Sequence, residues 1–136
     1  MVTTRPGDAE LLASARTAAH NSYSPYSHFP VGAALITDSG EIVSGCNVEN
    51  AAYGEAICAE RNAVTTMVAA AAGTAVETIA VVGLHASPCW PCGSCRQVLR
   101  EFNCRRVIVE GPDGLPLDLS LGELLPHSFG PEALEG

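Results

Sequence analysis

The chain contains no lysine: its seven basic residues are all arginines, set against 15 carboxylates for a formal charge of −8. Nucleic-acid backbones and anionic membrane surfaces are gripped by clustered Lys and Arg. The densest basic run is the pair Arg105-Arg106, so neither partner is expected. Charged residues of both signs make up 16%, below the ~25% of an average soluble domain, a shortfall that fits surface hidden between subunits. Long apolar runs are missing too. The longest, Ala63 to Ala72, is interrupted by Thr65 and Thr66, and a bilayer span needs ~20 residues. The stretch from Met1 to Asp8 has no apolar signal-peptide core. These absences predict a soluble, cytoplasmic chain.

What is present is a 136-residue chain with 47% hydrophobic content. That length suits one domain burying about two-thirds of its unfolded surface, which excludes disorder. A single domain over 1–136 is expected, with residues 1–7 and about 131–136 as flexible ends. Leu11, Leu12, Ala15, Ala18 and Ala19 recur at helical spacing behind Asp8, predicting a helix from Asp8 to about Asn21 capped by Asp8. Val31–Thr37 and Glu41–Cys46 read as a hairpin around Asp38-Ser39-Gly40. A helix from about Ile57 to Ala72, closed by Gly73, precedes a buried strand at Thr78–Leu84. A helix from about Cys92 to Phe102, strands at Arg106–Glu110 and Leu115–Leu117, and a short helix near Leu121–Leu125 complete the pattern. Strands alternating with helices predict a three-layer α/β/α sandwich on one mixed sheet of about five strands. Its strand-to-helix junctions before Cys58 and at Cys92 are where such sheets hold their chemistry.

Six cysteines stand at 46, 58, 89, 92, 95 and 104. A disulfide framework suits small secreted chains without a core, which this is not. Cys92 and Cys95 share one face of a helix's first turn, a spacing common to redox pairs and zinc sites. Cys58 opens a second helix and tips the reading toward metal. Helix N-termini carry partial positive charge and stabilise thiolates. Three sulfurs at two such ends leave a fourth tetrahedral position open, as in catalytic zinc sites. Glu60, beside Cys58, is placed to move a proton from water at that position rather than to bind the metal. Cys46 and Cys104 read as buried thiols, and His20 and His85 as structural or surface residues.

Cys58-Ala59-Glu60 together with Pro91-Cys92-Gly93-Ser94-Cys95-Arg96-Gln97 resembles the zinc signature of the cytidine deaminases. Three further segments resemble the small, free-nucleoside branch of that family. They are Tyr26-Ser27-His28-Phe29-Pro30-Val31-Gly32-Ala33-Ala34, the run Gly45-Cys46-Asn47-Val48-Glu49-Asn50-Ala51-Ala52-Tyr53-Gly54, and Glu123-Leu124-Leu125-Pro126-His127-Ser128-Phe129. The resemblance spans residues 20 to 130. It implies one Zn²⁺ per subunit on Cys58, Cys92 and Cys95, with Glu60 as proton shuttle. It also implies Asn47 and Glu49 on the sugar hydroxyls, and Ala59 at the substrate. Phe29 would pack on the base, with Phe129 supplied by a neighbouring subunit. Arg61 matches an arginine bonded to the thiolates, which offsets their excess negative charge. The implied reaction is hydrolytic: Glu60 carries a proton from water to ring N3, oxygen adds at C4 and ammonia leaves. A homotetramer with shared active sites, working in pyrimidine salvage on cytidine and 2'-deoxycytidine, is implied as well.

Cys89-Trp90 departs from the family pattern by creating a second, overlapping Cys-x-x-Cys. Cys89 as a fourth ligand would close the site and leave Glu60 without purpose. Trp90 instead reads as lining the pocket mouth and adjusting preference for the base or its ring substituents. His28 and His127 lie in motif segments without a fixed role. The competing readings are an aminoacyl-nucleoside deaminase such as one for blasticidin S, a structural zinc module, and a Cys92/Cys95 redox protein. Nothing in the redox reading explains Cys58-Ala59-Glu60, and the −8 charge opposes polynucleotide editing.

Overall fold

The structure, a computed structural model, describes residues 6–135. Helix α1 (Asp8–Ala19) leads into the hairpin β1 (Val31–Thr37) and β2 (Ile42–Cys46), then α2 (Ala59–Ala69) and β3 (Val76–Gly83). Helix α3 (Gly93–Glu101), strands β4 (Arg106–Glu110) and β5 (Pro116–Ser120) and the short α4 (Leu121–Leu124) follow. The five strands form one sheet in the order β2-β1-β3-β4-β5, in which only β3 and β4 run parallel. That is the mixed five-stranded α/β fold expected. A parallel pair needs a crossover, and α3 supplies it.

The period-2 geometry of strands divides the core in two. Ala33, Leu35, Ile79, Val81, Val107 and Val109 face α2 and α3. Ala34, Ile36, Ala80, Val82 and Ile108 face Leu11, Leu12 and Ala15 of α1. Both helices sit unusually close to the sheet. A Cβ at Gly32 would collide with the backbone of Ala15 and Ala19, and one at Gly45 with the backbone of Ala63 and Ala59. Glycine facing alanine is therefore what permits these contacts. No helix among the described residues is long and apolar enough to cross a membrane.

Four local expectations change. Asp8 does not cap α1: Gly7 holds the N-cap position without a side-chain bond, and Asp8 instead pairs with Arg106 Nη2 at 2.6 Å. Helix α2 starts at Ala59 because Ile57 exchanges backbone hydrogen bonds with Val48, which keeps it extended. It ends before Gly73, since Ala71 takes a left-handed φ of 53°. The N–H groups of Ala71 and Ala72 then return to the carbonyls of Val68 and Met67, a Schellman closure. Strand β5 extends to Ser120 because its ladder with β4 continues to Arg106. At the C-terminus a 3₁₀ turn at Pro131–Leu134 follows, with an Arg100–Glu132 ion pair beside it. The expectation of flexible ends falls in part on residues 1–5 and 136, which lie outside the described residues.

Candidate active site

Helices α2 and α3 lie on the same face of the sheet, and their N-termini converge. Cys58 is the N-cap of α2 and Cys92 the N-cap of α3, both with extended backbone. Neither sulfur is spent on capping its own helix. Cys95, one turn into α3, is buried beneath them. The Cys58 and Cys92 sulfurs stand 3.9 Å apart, and all three lie within 4.8 Å of one another. Sulfurs bound tetrahedrally at about 2.3 Å from zinc sit roughly 3.8 Å apart, so the donor set fits that ion. This is the one such ligand-capable group found among the described residues.

Hydrogen bonding from Cys95, and from Cys92, lowers the Cys58 thiol to about 6, with the positive charge of Arg61 helping against burial. The Cys95 thiol is raised in turn, because it gives its hydrogen to Cys58 and is desolvated. One sulfur is therefore ready as a thiolate, and the other protons leave as a metal enters. Arg61 Nη2 donates to Ser94 Oγ at 2.9 Å, so the guanidinium grips the residue between Cys92 and Cys95. Glu60, the second residue of α2, is only 4% exposed. Burial pushes its carboxyl up to about 7, where it exchanges protons readily at neutral pH.

A cavity of about 400 Å³ opens over these groups. Cys58, Ala59, Glu60 and Cys92 line one end, with Cys89 and Trp90 beside them. Phe29, Val31, Asn47 and Glu49 line the rest, with Ser27 at the rim. Asn47 is held by its neighbours. Its Oδ1 accepts from Val31 N at 2.9 Å and from Ser22 Oγ, and its Nδ2 donates to Phe29 O at 2.9 Å. Glu49 accepts from the backbone N–H groups of Tyr26 (3.0 Å) and Ser27 (3.1 Å) and from Ser27 Oγ. These bonds, that of the Ser27 hydroxyl first, keep its carboxyl below the ordinary range.

The structure thus brings together all but one of the residues singled out from sequence for direct contact with metal or substrate. Phe129 stands apart: it is 61% exposed, and its carbonyl accepts from Gln97 Nε2 at 2.9 Å. Cys89 lies outside the three-sulfur group, and burial pushes its thiol up to about 11. Cys104 is buried as expected, whereas Cys46 is only half-buried. Sequence reasoning assigned no work to Ser22 or Ser27 and read His85 only as a structural or surface residue. Ser27 Oγ accepts from Phe29 N at 3.0 Å while donating to Glu49. His85 Nδ1 donates to the carbonyl of His28 at 3.0 Å, where the chain turns through a left-handed φ of 55°. Only the Ser-rich run at 22–27 hinted at these supports.

Three clustered thiols next to a buried glutamate that lies outside their group are the residue set of the zinc-dependent deaminase class. The family model for the cytidine and deoxycytidylate deaminase zinc-binding region matches residues 6–110, and the chain belongs to this family. A cytidine deaminase of Mycobacterium tuberculosis is 42% identical over 120 residues, 88% of this chain and 87% of that protein. One from Sporosarcina psychrophila is 39% identical over 127 residues, covering 92% and 93% of the two chains. The crystal structure of cytidine deaminase from Burkholderia pseudomallei superimposes with a TM-score of 0.80 at 40% identity, covering 91% of this chain and all of that one.

Proposed function

We propose that this chain is a cytidine deaminase, hydrolysing cytidine to uridine and ammonia with one zinc ion held by Cys58, Cys92 and Cys95. The observation that carries the reading is the buried Glu60 carboxyl at the sulfur end of a nucleoside-sized cavity. Zinc in that site would supply Lewis acidity, lowering the pKa of a water molecule to about 7. Glu60 then accepts a proton from water at its carboxylate and delivers it to ring N3. The oxygen adds to C4, Glu60 takes the remaining proton from that oxygen and hands it to the exocyclic amino group, the C4–N4 bond breaks as C4=O forms, and ammonia leaves. Arg61 offsets the excess charge of three thiolates, which otherwise weakens the metal as an acid.

Substrate orientation follows from the hydrogen-bonding capacity left over at the other end. An amide has two N–H donors and two acceptor positions. The loop consumes both acceptor positions of Asn47 and one N–H, leaving one donor. Glu49 has accepted three bonds and keeps a free position on Oε2. One donor and one acceptor satisfy a single sugar hydroxyl, so cytidine and 2'-deoxycytidine are both substrates and free cytosine is a poor one. Phe29 covers the base, and the backbone beside Ala59 bounds it near the metal.

The same reading makes the protein a cytoplasmic homotetramer of pyrimidine salvage, with Phe129 reaching the cavity of a neighbouring copy. Its support is the exposed Phe129, which does not line its own cavity, the low charge content, and six cysteines that are all free thiols, as reducing compartments keep them. The test is purified protein with zinc quantified, incubated with cytidine, 2'-deoxycytidine, cytosine and blasticidin S while ammonia is followed. Glu60→Gln retains zinc and loses roughly 10²–10⁴-fold in kcat; a variant running at wild-type speed overturns the mechanism.

A further inference from the structure

Cys89 and Trp90 line the cavity, yet the reaction above gives neither any work. Their place follows from the two fixed ends of the substrate. The reacting carbon C4 must lie at the sulfurs, and the sugar at Asn47 and Glu49. N3 faces Glu60, which protonates it, so the opposite C5–C6 edge turns toward the remaining wall of Phe29, Val31, Cys89 and Trp90. Phe29 and Val31 are each bonded through their backbone to the Asn47 amide, which sets them toward the sugar and C6. Cys89 and Trp90 run directly into Pro91 and the metal-binding Cys92, which sets them beside C4 and therefore at C5. The wall is backed as well. Cys89 and Trp90 both pack half-buried against the core on the α2/α3 side. A Cβ at Gly83 would come within 3.2 Å of the Cys89 sulfur and 3.3 Å of its Cβ, so Cys89 is pressed against the end of β3. Little room is left for Trp90 to withdraw.

We infer that Trp90 is a specificity-determining residue: alongside Cys89, its side chain walls the cavity at the C5 edge of the pyrimidine and limits the substituent carried there. The inference rests on the cytidine-deaminating reading and adds to it which ring position this chain polices. A tight wall discriminates one added methyl group by roughly 10–200-fold.

Trp90 is the only tryptophan in the chain, so its emission reports on this wall alone. Uridine, the product, is titrated into the zinc-loaded wild-type enzyme, and emission is compared with inhibition of cytidine turnover. The expected result is an emission change that saturates over the same concentrations as inhibition, with 5-methyluridine binding at least tenfold more weakly. In Trp90→Ala that gap narrows to threefold or less. The ratio of kcat/KM for 5-methylcytidine to that for cytidine rises at least tenfold, a comparison made within one variant and so independent of the fraction folded. Trp90→Phe gives an intermediate ratio and carries the test if the alanine variant does not fold. An emission unmoved at fully inhibitory uridine, or a ratio within twofold of wild type in the variants, overturns the inference. A wild-type enzyme that leaves cytidine untouched overturns the proposed function instead.

Discussion

Asn47 shows why a site residue read from a motif can have two duties. Its amide neutralises the backbone N–H of Val31 and the carbonyl of Phe29, so the two loops that frame the cavity depend on it. Removing it leaves both groups without partners, and an unpaired polar group of this kind costs about 1–3 kcal/mol. Asn47→Ala is therefore expected to lower stability by about that amount in denaturant titration. With the sugar contact proposed above it would also lose the remaining N–H, so KM for cytidine is expected to rise by a larger factor than kcat falls. An unchanged KM would assign Asn47 to loop support alone. The three sulfurs and Glu60 were legible in the sequence because their chemistry is set by residue type and short spacing. The supports were not, because they join distant segments: Ser22 with Asn47, Ser27 with Glu49, His85 with His28. Nothing local in the chain announces such pairings.

At the scale of elements, unbroken apolar runs marked the bounds of β1 and β4 without error, since each strand is buried on both faces. Helix ends were less legible, because tertiary pairing overrode the local signal. The start of α2 was moved by the Ile57–Val48 bridge, and its end by a left-handed alanine where glycine is the usual residue. Gly73, which looked like the terminator, serves another purpose: a Cβ there would press on Thr37 and Asp38 at the hairpin turn. Ala71 is exposed and makes no packing that its methyl would forfeit. The left-handed conformation costs an L-residue about 1–2 kcal/mol, while glycine adds about 0.5–1 kcal/mol of unfolded-state entropy. Ala71→Gly is thus expected to stabilise the protein by about 0.5–1 kcal/mol and raise Tm by a few degrees. Calorimetry checks this; a lower Tm would mean that the helix end relaxes elsewhere.

At the scale of the whole molecule, the cavity and Phe129 have to be considered together. The segment carrying Phe129 is not loose on the surface. Gln97 holds its carbonyl, Arg100 Nε donates to Ser128 Oγ at 2.9 Å, and the same guanidinium pairs with Glu132. Helix α3 therefore displays an aromatic ring to solvent from a fixed base, while its first turn carries Cys95 in the same subunit's metal group. An exposed Phe held in place costs solvation with no return inside one chain, and the shared site proposed above would give it a neighbour's substrate to cover. This arrangement can be separated from action within one subunit by mixing defects. Phe129→Ala lowers kcat/KM, and Glu60→Gln abolishes turnover. Co-expressed with different tags and purified as hybrids, the two variants generate some sites with Glu60 from one copy and Phe129 from the other. Those sites are intact, so turnover per Glu60-containing subunit rises above that of the Phe129→Ala parent. If Phe129 serves its own subunit, every site keeps one of the two defects, and hybrid activity stays at the average of the parents.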